Sequence, residues 1–184
     1  MSFTLKERQQ LTDMVSSGAV IIHPTDTIYG LGCNALKKKP VERIRKIKKR
    51  PKLPFSVIAP SKKWIRDNCE LSKEARAFVR EKLPGPYTII VKLKNKKAVS
   101  PAVIPGLNTL GVRLPDHWLT KIVAKAGVPF VTTSVNRHGD KHMTSDKTAD
   151  PAIVKQADYL IYEGAKQGKP SRVMDFTRNI VIRY

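Results

Sequence analysis

Residues 72–93, SKEARAFVREKLPGPYTIIVKL, predict a helix, a sharp break and a strand within one stretch. Ser72 is a residue type that caps helices, and Glu74 would lie near the positive end of the helix that follows. The run of two prolines around Gly85 ends that helix. The next seven residues, Tyr87–Leu93, are rich in the β-branched and aromatic types typical of strands. This stretch therefore indicates a domain that mixes helices with strands.

The same alternation continues along the chain in both directions. Further helices are predicted at 4–17, at 40–49, after Ser61, from Asp116 to the stop at Gly127, and from Asp150-Pro151 onward. Further strands are predicted at 19–22, 55–59, 109–114, 128–132, 159–162, 173–176 and 180–183. The sequence contains no repeat and no linker, so we expect one α/β domain spanning residues 1–184, with flanking helices around a sheet of about six or seven strands. The late strands are so closely spaced that hairpins must connect them, which predicts a mixed sheet.

Charge is the strongest compositional signal. Lys and Arg number 35 against 15 Asp and Glu, which gives a formal net charge of +20. Such an imbalance concentrates polyanions near the surface, and nucleic acid is the commonest partner for a chain of this kind. The basic residues recur throughout the chain, which favours contact with RNA over the alternative of a merely solvated surface.

Several classes of protein are disfavoured by what the sequence lacks. No apolar run approaches the about 20 residues that cross a bilayer, and no signal peptide is expected, so a cytoplasmic protein without a membrane partner is predicted. Cys33 and Cys69 provide neither a disulfide framework nor metal-ligand spacing. His138 and His142 share a glycine-bearing loop without an acidic or cysteine ligand set, so no metal site is expected. Neither a P-loop nor a G-x-S-x-G elbow is present.

Five segments carry residues that suit polar or anionic ligands: 24–32 (PTDTIYGLG), 48–51 (KKRP), 109–115 (TLGVRLP), 133–136 (TSVN) and 170–175 (PSRVMD). Lys48 and Arg50 suit an oligophosphate, since Arg can grip two oxygens at once. Strand alternation would put Thr109, Gly111 and Arg113 on one face, as a ligand wall. Each segment has a plain alternative, namely a turn, a solvated helix end, a water-facing sheet edge or a strand entry.

In their order along the chain, the motifs P-T-D-T-I-Y-G-L-G, K-x-R-P, P-G-P-Y-T, G-V-R-L-P, T-S-x-N and S-x-V-x-D resemble those of the YrdC-like family of threonylcarbamoyl-AMP synthases. The resemblance implies an open, twisted sheet with a large basic concave cleft. It also implies a nucleotidyltransferase that joins L-threonine, bicarbonate and ATP into threonylcarbamoyl-AMP and releases pyrophosphate, with Mg²⁺ carried on the ATP. The product would pass to a transferase complex that modifies an adenosine of tRNA.

The resemblance also implies which residues bind. Lys48 and Arg50 would hold the ATP phosphates and serve catalysis by neutralising the departing pyrophosphate. Other nucleotide contacts would come from Thr109, Asn136, Thr144, Ser171 and Arg183. L-threonine would be held by Thr27, Arg113 and Ser134, with Arg113 on its carboxylate. Because a carbamate oxygen attacks the α-phosphorus, the reaction needs no side-chain nucleophile and depends on positioning and charge neutralisation.

Three positions depart from the usual pattern of that family. Val135 replaces an alanine in a tight turn, and Arg172 replaces a threonine where it could alter the phosphate wall. The segment 52–55 lacks the asparagine of a common N-P-L motif. These departures and the charge support a rival function, a double-stranded-RNA or tRNA binding protein with degenerate catalysis. A carbamoyl-transfer domain like that of hydrogenase maturation is disfavoured, because the acylphosphatase and zinc-finger segments that usually accompany it are missing from these residues.

Overall fold

A computed structural model describes residues 3–137, 140–166 and 168–183. Its helices are α1 (Leu5–Ser17), α2 (Lys38–Ile47), α3 (Lys62–Asn68), α4 (Lys73–Lys82), α5 (Trp118–Ala126) and α6 (Pro151–Val154). Its strands are β1 (Ile21–His23), β2 (Gly30–Gly32), β3 (Ser56–Ile58), β4 (Cys69–Glu70), β5 (Tyr87–Leu93), β6 (Thr109–Arg113), β7 (Phe130–Ser134), β8 (Tyr159–Leu160), β9 (Arg172–Asp175) and β10 (Ile180–Arg183). His138 and Gly139 lie outside the described residues.

Most helix starts follow the capping residues in the sequence, with α2 and α5 as exceptions; the Lys37 N-cap of α2 makes no side-chain cap hydrogen bond. Ser72 accepts a hydrogen bond from the Ala75 amide at 3.1 Å, as predicted. The prediction that Asp116 caps α5 is wrong. His117 is the N-cap, and its Nδ1 accepts from the Leu119 amide at 3.3 Å. Asp116 lies one residue before this cap, and its backbone amide donates to Asp26 Oδ2 at 3.1 Å.

The sheet is mixed, as expected, but wider than the sequence predicts. Within the described residues ten strands form one sheet, in the order β10-β9-β5-β6-β3-β7-β2-β1-β8, with β4 also paired to β5. β3–β6 and β5–β9 are parallel, whereas β5–β6 and β3–β7 are antiparallel. The late hairpin is confirmed, because β9 and β10 pair antiparallel.

The expected count of about six or seven strands is too low because all eight predicted strand segments join the sheet, and β2 and β4, which the sequence does not predict, bring the total to ten. β2 consists of Gly30-Leu31-Gly32, and glycine is disfavoured in strands, so propensity conceals it. The structure explains the glycines by close packing. A Cβ on Gly32 would lie 2.2 Å from the Val131 carbonyl oxygen. β4 has only two residues, too few for any period to be visible.

The two faces of the sheet are covered differently. Val57 of β3 belongs to a large apolar cluster that includes Val41 of α2 and Val79 of α4. The next residue, Ile58, belongs to a second cluster on the opposite face, shared with α1 and α5. These two helices cover only one end of that face. The opposite end, where Ser56 and the last residues of β7 lie, is open and forms a cavity.

Candidate functional site

The cavity has a volume of about 560 Å³, a size that accommodates a nucleotide-sized or amino-acid-sized ligand. Its floor consists of side chains that alternate along five neighbouring strands. The floor residues are Ser56 of β3, Thr88 and Ile90 of β5, Thr109, Gly111 and Arg113 of β6, Thr132, Thr133 and Ser134 of β7, and Val173 and Asp175 of β9. The predicted alternation of β6 is confirmed, because Leu110 and Val112 point into the core on the other side.

The cavity is strongly cationic. Among the described residues that line it, the charged ones are Arg50, Arg113, Arg178, Arg183 and Asp175. The Asp175 carboxylate is already engaged, since it accepts hydrogen bonds from Arg178 Nε at 2.8 Å and from Thr177 Oγ1 at 2.6 Å. The electrostatic preference of the cavity is therefore for an anion.

Arg113 is held in a fixed orientation deep in this cavity. Its Nη2 donates to Asp26 Oδ1 at 2.8 Å and to Thr27 Oγ1 at 3.3 Å. The residue is only 7% exposed, and this burial lowers the pKa of Arg113 while the Asp26 charge opposes the shift. Its Nε is buried without a hydrogen-bond acceptor. A buried N–H of a guanidinium without an acceptor is costly.

Arg50 shows the same feature on the other side of the cavity. Its Nη2 donates to the Pro54 carbonyl at 3.0 Å, and its Nε is also buried without an acceptor. Burial lowers the pKa of Arg50. The structure thus brings together, in the wall of one cavity, two arginines that are 63 positions apart in sequence, each with a buried Nε–H that has no acceptor.

Lys48 does not line the cavity, contrary to the predicted cationic wall of Lys48, Arg50 and Arg113. It is 2% exposed, and its Nζ donates to the carbonyls of Ser134 and Asn136, both at 2.6 Å, and to Asn136 Oδ1 at 3.1 Å. These three bonds use all three ammonium protons. Burial, with the nearby Arg50 charge, lowers the pKa of Lys48 to about 8. Lys48 therefore braces the turn behind Ser134.

The remaining predicted nucleotide contacts divide into two groups. Thr109, Ser171 and Arg183 line the cavity, and Arg183 Nε donates to the Ser171 carbonyl at 2.7 Å. Asn136 and Thr144 do not line it. Thr144 is occupied elsewhere, since its carbonyl accepts from the Lys166 amide at 2.7 Å and its own amide donates to Thr148 Oγ1 at 2.8 Å.

Of the predicted threonine-binding residues, Thr27 contacts the Arg113 guanidinium, whereas the sheet register aligns Arg113 with Phe130 of β7, four positions from Ser134. Ser134 lines the cavity, and its Oγ donates to Asn136 Oδ1 at 2.5 Å. Thr27 is buried directly behind Arg113 and does not line the cavity itself. Its Oγ1 lies 3.0 Å from Thr25 Oγ1, and Thr25 is a lining residue.

Two of the three departures lie away from the cavity. The expectation that Arg172 alters the phosphate wall is wrong, because β9 alternation puts Ser171 and Val173 inside and leaves Arg172 exposed. Val135 is 1% exposed and belongs to the core. At the third departure, Phe55 lines the cavity and packs against Arg50, whose Cζ lies 5.6 Å from the ring centre.

Several lining residues were missed by sequence reasoning. Arg178 lies in the turn between β9 and β10, where its guanidinium pairs with the Asp175 carboxylate and lines the cavity. Thr88 lines the cavity because β5 is a neighbour of β6 and β9. Tyr29 is a lining residue whose hydroxyl donates to the Gly164 carbonyl at 2.7 Å and so anchors the chain after β8. Tyr29 had a signal in its place within the segment 24–32 and Thr88 in the motif P-G-P-Y-T, whereas Arg178 had none.

The described part of the chain has neither a membrane-spanning helix nor a cluster of metal ligands. None of its helices has both the length and the apolar character needed to span a membrane. Across these same residues, no three His, Cys, Asp or Glu side chains come together in a way that could hold a metal ion. His142 is among the described residues, and His138 is not.

A mixed α/β sheet with an arginine-lined cavity on one face defines a protein built to bind a small anionic ligand. A family model for the Sua5/YciO/YrdC domain, described as "Telomere recombination", matches residues 13–184. The chain belongs to the Sua5/YciO/YrdC family. It is 31% identical over 183 residues to the Methanocaldococcus jannaschii protein named "Putative threonylcarbamoyl-AMP synthase", a match that covers 96% of this chain and 86% of that relative.

Solved structures agree on the fold. Sua5 of P. abyssi in complex with L-threonine superposes with a TM-score of 0.84 at 25% identity, over 96% of this chain and 53% of that one. This chain thus spans about half the length of that Sua5. Escherichia coli YciO superposes with a TM-score of 0.82 at 27% identity, over 99% of this chain and 90% of YciO. The expected open, mixed α/β fold is confirmed.

Proposed function

We propose that this protein is an L-threonylcarbamoyladenylate synthase that uses L-threonine, bicarbonate and ATP for tRNA modification in the cytoplasm. The observation that carries the proposal is one cavity lined by Arg50, Arg113, Arg178 and Arg183, with Asp175 as the single acidic lining residue among the described ones. Two anionic groups placed side by side would balance this charge. The relative named for this activity and the threonine complex of Sua5 support the same reading.

In the proposed reaction, the threonine amine and bicarbonate form a carbamate with loss of water. A carbamate oxygen then bonds to the α-phosphorus of ATP, and the bond to the β-phosphate oxygen breaks to release pyrophosphate with its electron pair. Arg113 would hold the threonine carboxylate, and Arg50 and Arg183 would face the phosphates, to which Mg²⁺ comes bound. The side chains contribute positioning and charge neutralisation, which favour a reaction between two anions.

Lys48 has an indirect part in this proposal. Its ammonium holds the carbonyls of Ser134 and Asn136, which sets the turn that presents the Ser134 hydroxyl to the cavity. Loss of Lys48 would therefore impair threonine binding through Ser134.

The test is formation of the adenylate, detected by mass, together with pyrophosphate release. Both must require L-threonine and bicarbonate, a dependence that also separates this function from carbamoyl transfer of the hydrogenase-maturation kind. Arg50→Ala and Arg113→Met should each lower kcat/KM by about 10²–10³-fold, the effect of removing a group that stabilises developing charge. Arg172→Ala is the matched control, because Arg172 is exposed outside the cavity. Full turnover in both cavity variants would refute the proposal.

A second function, binding of double-stranded RNA or tRNA, is favoured by the net charge of +20. It is compatible with synthesis, since the product would be handed to a transferase complex acting on tRNA. Binding should weaken with salt at a log–log slope of about −0.9 for each duplex phosphate neutralised. Arg50→Ala should leave RNA affinity nearly unchanged, because Arg50 is half-buried in the cavity wall. A salt-independent affinity would remove the charge argument.

A further inference from the structure

Arg45 is a buried arginine of α2 that does not line the cavity. It is only 8% exposed, and its guanidinium has no carboxylate partner among the described residues. It donates instead to five backbone carbonyls, those of Ala102 (2.8 Å), Arg50 (3.0 Å), Pro51 (3.2 Å), Leu53 (2.9 Å) and Val103 (3.2 Å). A buried charge is retained at a cost in desolvation, so this arrangement calls for an explanation beyond stability.

The five carbonyls belong to two segments that lead into the cavity. The first, residues 50–53, carries Arg50 and continues to Phe55, and both of these residues line the cavity. The second, residues 102–103, precedes the lining residue Thr109. The Phe55 amide also donates to the Val103 carbonyl at 3.0 Å, which joins the two segments directly. The Arg45 guanidinium thus links α2 to both of these segments.

Arg50 is held by Arg45 from two sides. The Arg50 backbone amide donates to the Arg45 carbonyl at 3.0 Å, while Arg45 Nη1 donates to the Arg50 carbonyl at 3.0 Å. The two guanidinium groups also share one aromatic ring, with Arg45 Cζ at 4.5 Å and Arg50 Cζ at 5.6 Å from the centre of Phe55. The position of Arg50 therefore depends on the position of Arg45.

We propose that Arg45 is a positioning residue that fixes Arg50 at the phosphate end of the cavity. The inference rests on the proposed function for the role of Arg50, and on the geometry alone for the role of Arg45. Lysine cannot substitute, because a single ammonium has three protons and no planar fork with which to span carbonyls from two segments. Arg45 positions Arg50 through the planar shape and the donors of its guanidinium, and not through its charge.

The kinetic test is a double-mutant cycle between Arg45→Lys and Arg50→Ala, with Lys46→Met as the matched control on the exposed side of the same helix. A misplacement of about 1 Å costs on the order of 10²-fold in rate, so Arg45→Lys should lower kcat/KM for ATP by about 10- to 100-fold. In the Arg50→Ala background the same change should cost less than about threefold, since interacting sites are not additive. Lys46→Met should match the parent.

A structural readout separates this inference from the proposed function. The Arg50 Nε–H resonance is identified by its disappearance in Arg50→Lys. It is then followed by ¹⁵N-edited NMR with and without ATP. In Arg45→Lys that resonance should shift or broaden, and its chemical-shift change on adding ATP should become smaller. Both results are expected whether or not the parent protein makes the adenylate. Arg45→Gln, which keeps a planar donor group, should restore part of the parent spectrum and serves if Arg45→Lys does not fold. An unchanged Arg50 resonance in the folded variants, or additive kinetic losses, would overturn the inference.

Discussion

The ion pair between Asp26 and Arg113 offers the sharpest test of how the cavity is built. Their atoms lie 2.8 Å apart, and the two side chains are 10% and 8% exposed respectively. Asp26 Oδ2 also accepts the Asp116 amide at 3.1 Å. Asp26→Ala would leave Arg113 buried, with Thr27 Oγ1 as its one remaining partner among the described residues.

The magnitude follows from removing one partner of a buried pair. Such a deletion costs about 3–5 kcal/mol, because it leaves an uncompensated buried charge. For a chain of this size each kcal/mol lowers the Tm by about 2–4 °C, so Asp26→Ala should melt roughly 6–20 °C below the parent. Removing both charges relieves most of the penalty, and Asp26→Ala/Arg113→Met should therefore be more stable than Asp26→Ala alone.

The assay is urea unfolding followed by circular dichroism, with melting curves in parallel. Asp67→Ala is the matched control, since its pair with Lys63 is exposed on the surface and should contribute little to stability. Two results would refute the reasoning. One is an Asp26→Ala variant no less stable than Asp67→Ala; the other is a double variant whose loss is the sum of the two single losses.

Three further predictions concern buried groups. Burial raises the pKa of both thiols, that of Cys69 to about 12, so neither Cys33 nor Cys69 should react with a disulfide dye at about pH 8 until the protein is unfolded. Burial lowers the pKa of His23 from 6.5 to about 3. Above pH 6.5 the imidazole is neutral in both the folded and the unfolded protein; between pH 6.5 and 3 only the unfolded chain binds the proton, so the free energy of unfolding falls by at most about 1.4 kcal/mol per pH unit, a slope that His23→Gln should lack in urea titrations across that window. Gly32→Ala should lower the free energy of unfolding by about 3 kcal/mol, because its Cβ would meet the Val131 carbonyl at 2.2 Å; an unchanged urea midpoint would contradict that packing.

Much of the fold could be predicted because the signals are local. Ser72 and Ser61 cap the helices that follow them, and Tyr87–Leu93 forms a strand with the predicted bounds. The alternation of β6 put Arg113 on the ligand face before any partner strand was known. Motif order along the chain identified the family, which the comparisons confirm.

The composition of the site could be predicted only in part, because its members meet through long-range packing. Nothing near Lys48 in sequence indicates that its ammonium is taken by the carbonyls of Ser134 and Asn136. Nothing near Arg113 indicates that Asp26, 87 residues away, holds it in place. These pairings depend on which strands become neighbours, a choice made by the whole sheet.

By itself, then, the amino-acid sequence determined the alternation of helices and strands, the excess of positive charge and the residue types available for binding. Tertiary structure decided which of the basic residues face the ligand. Arg50 and Arg113 line the cavity and each has an Nε–H without an acceptor. Lys48 and Arg45 instead donate their side-chain protons to backbone carbonyls behind the cavity. The physical reason is that a buried cation must find acceptors, and the folded backbone determines where these lie.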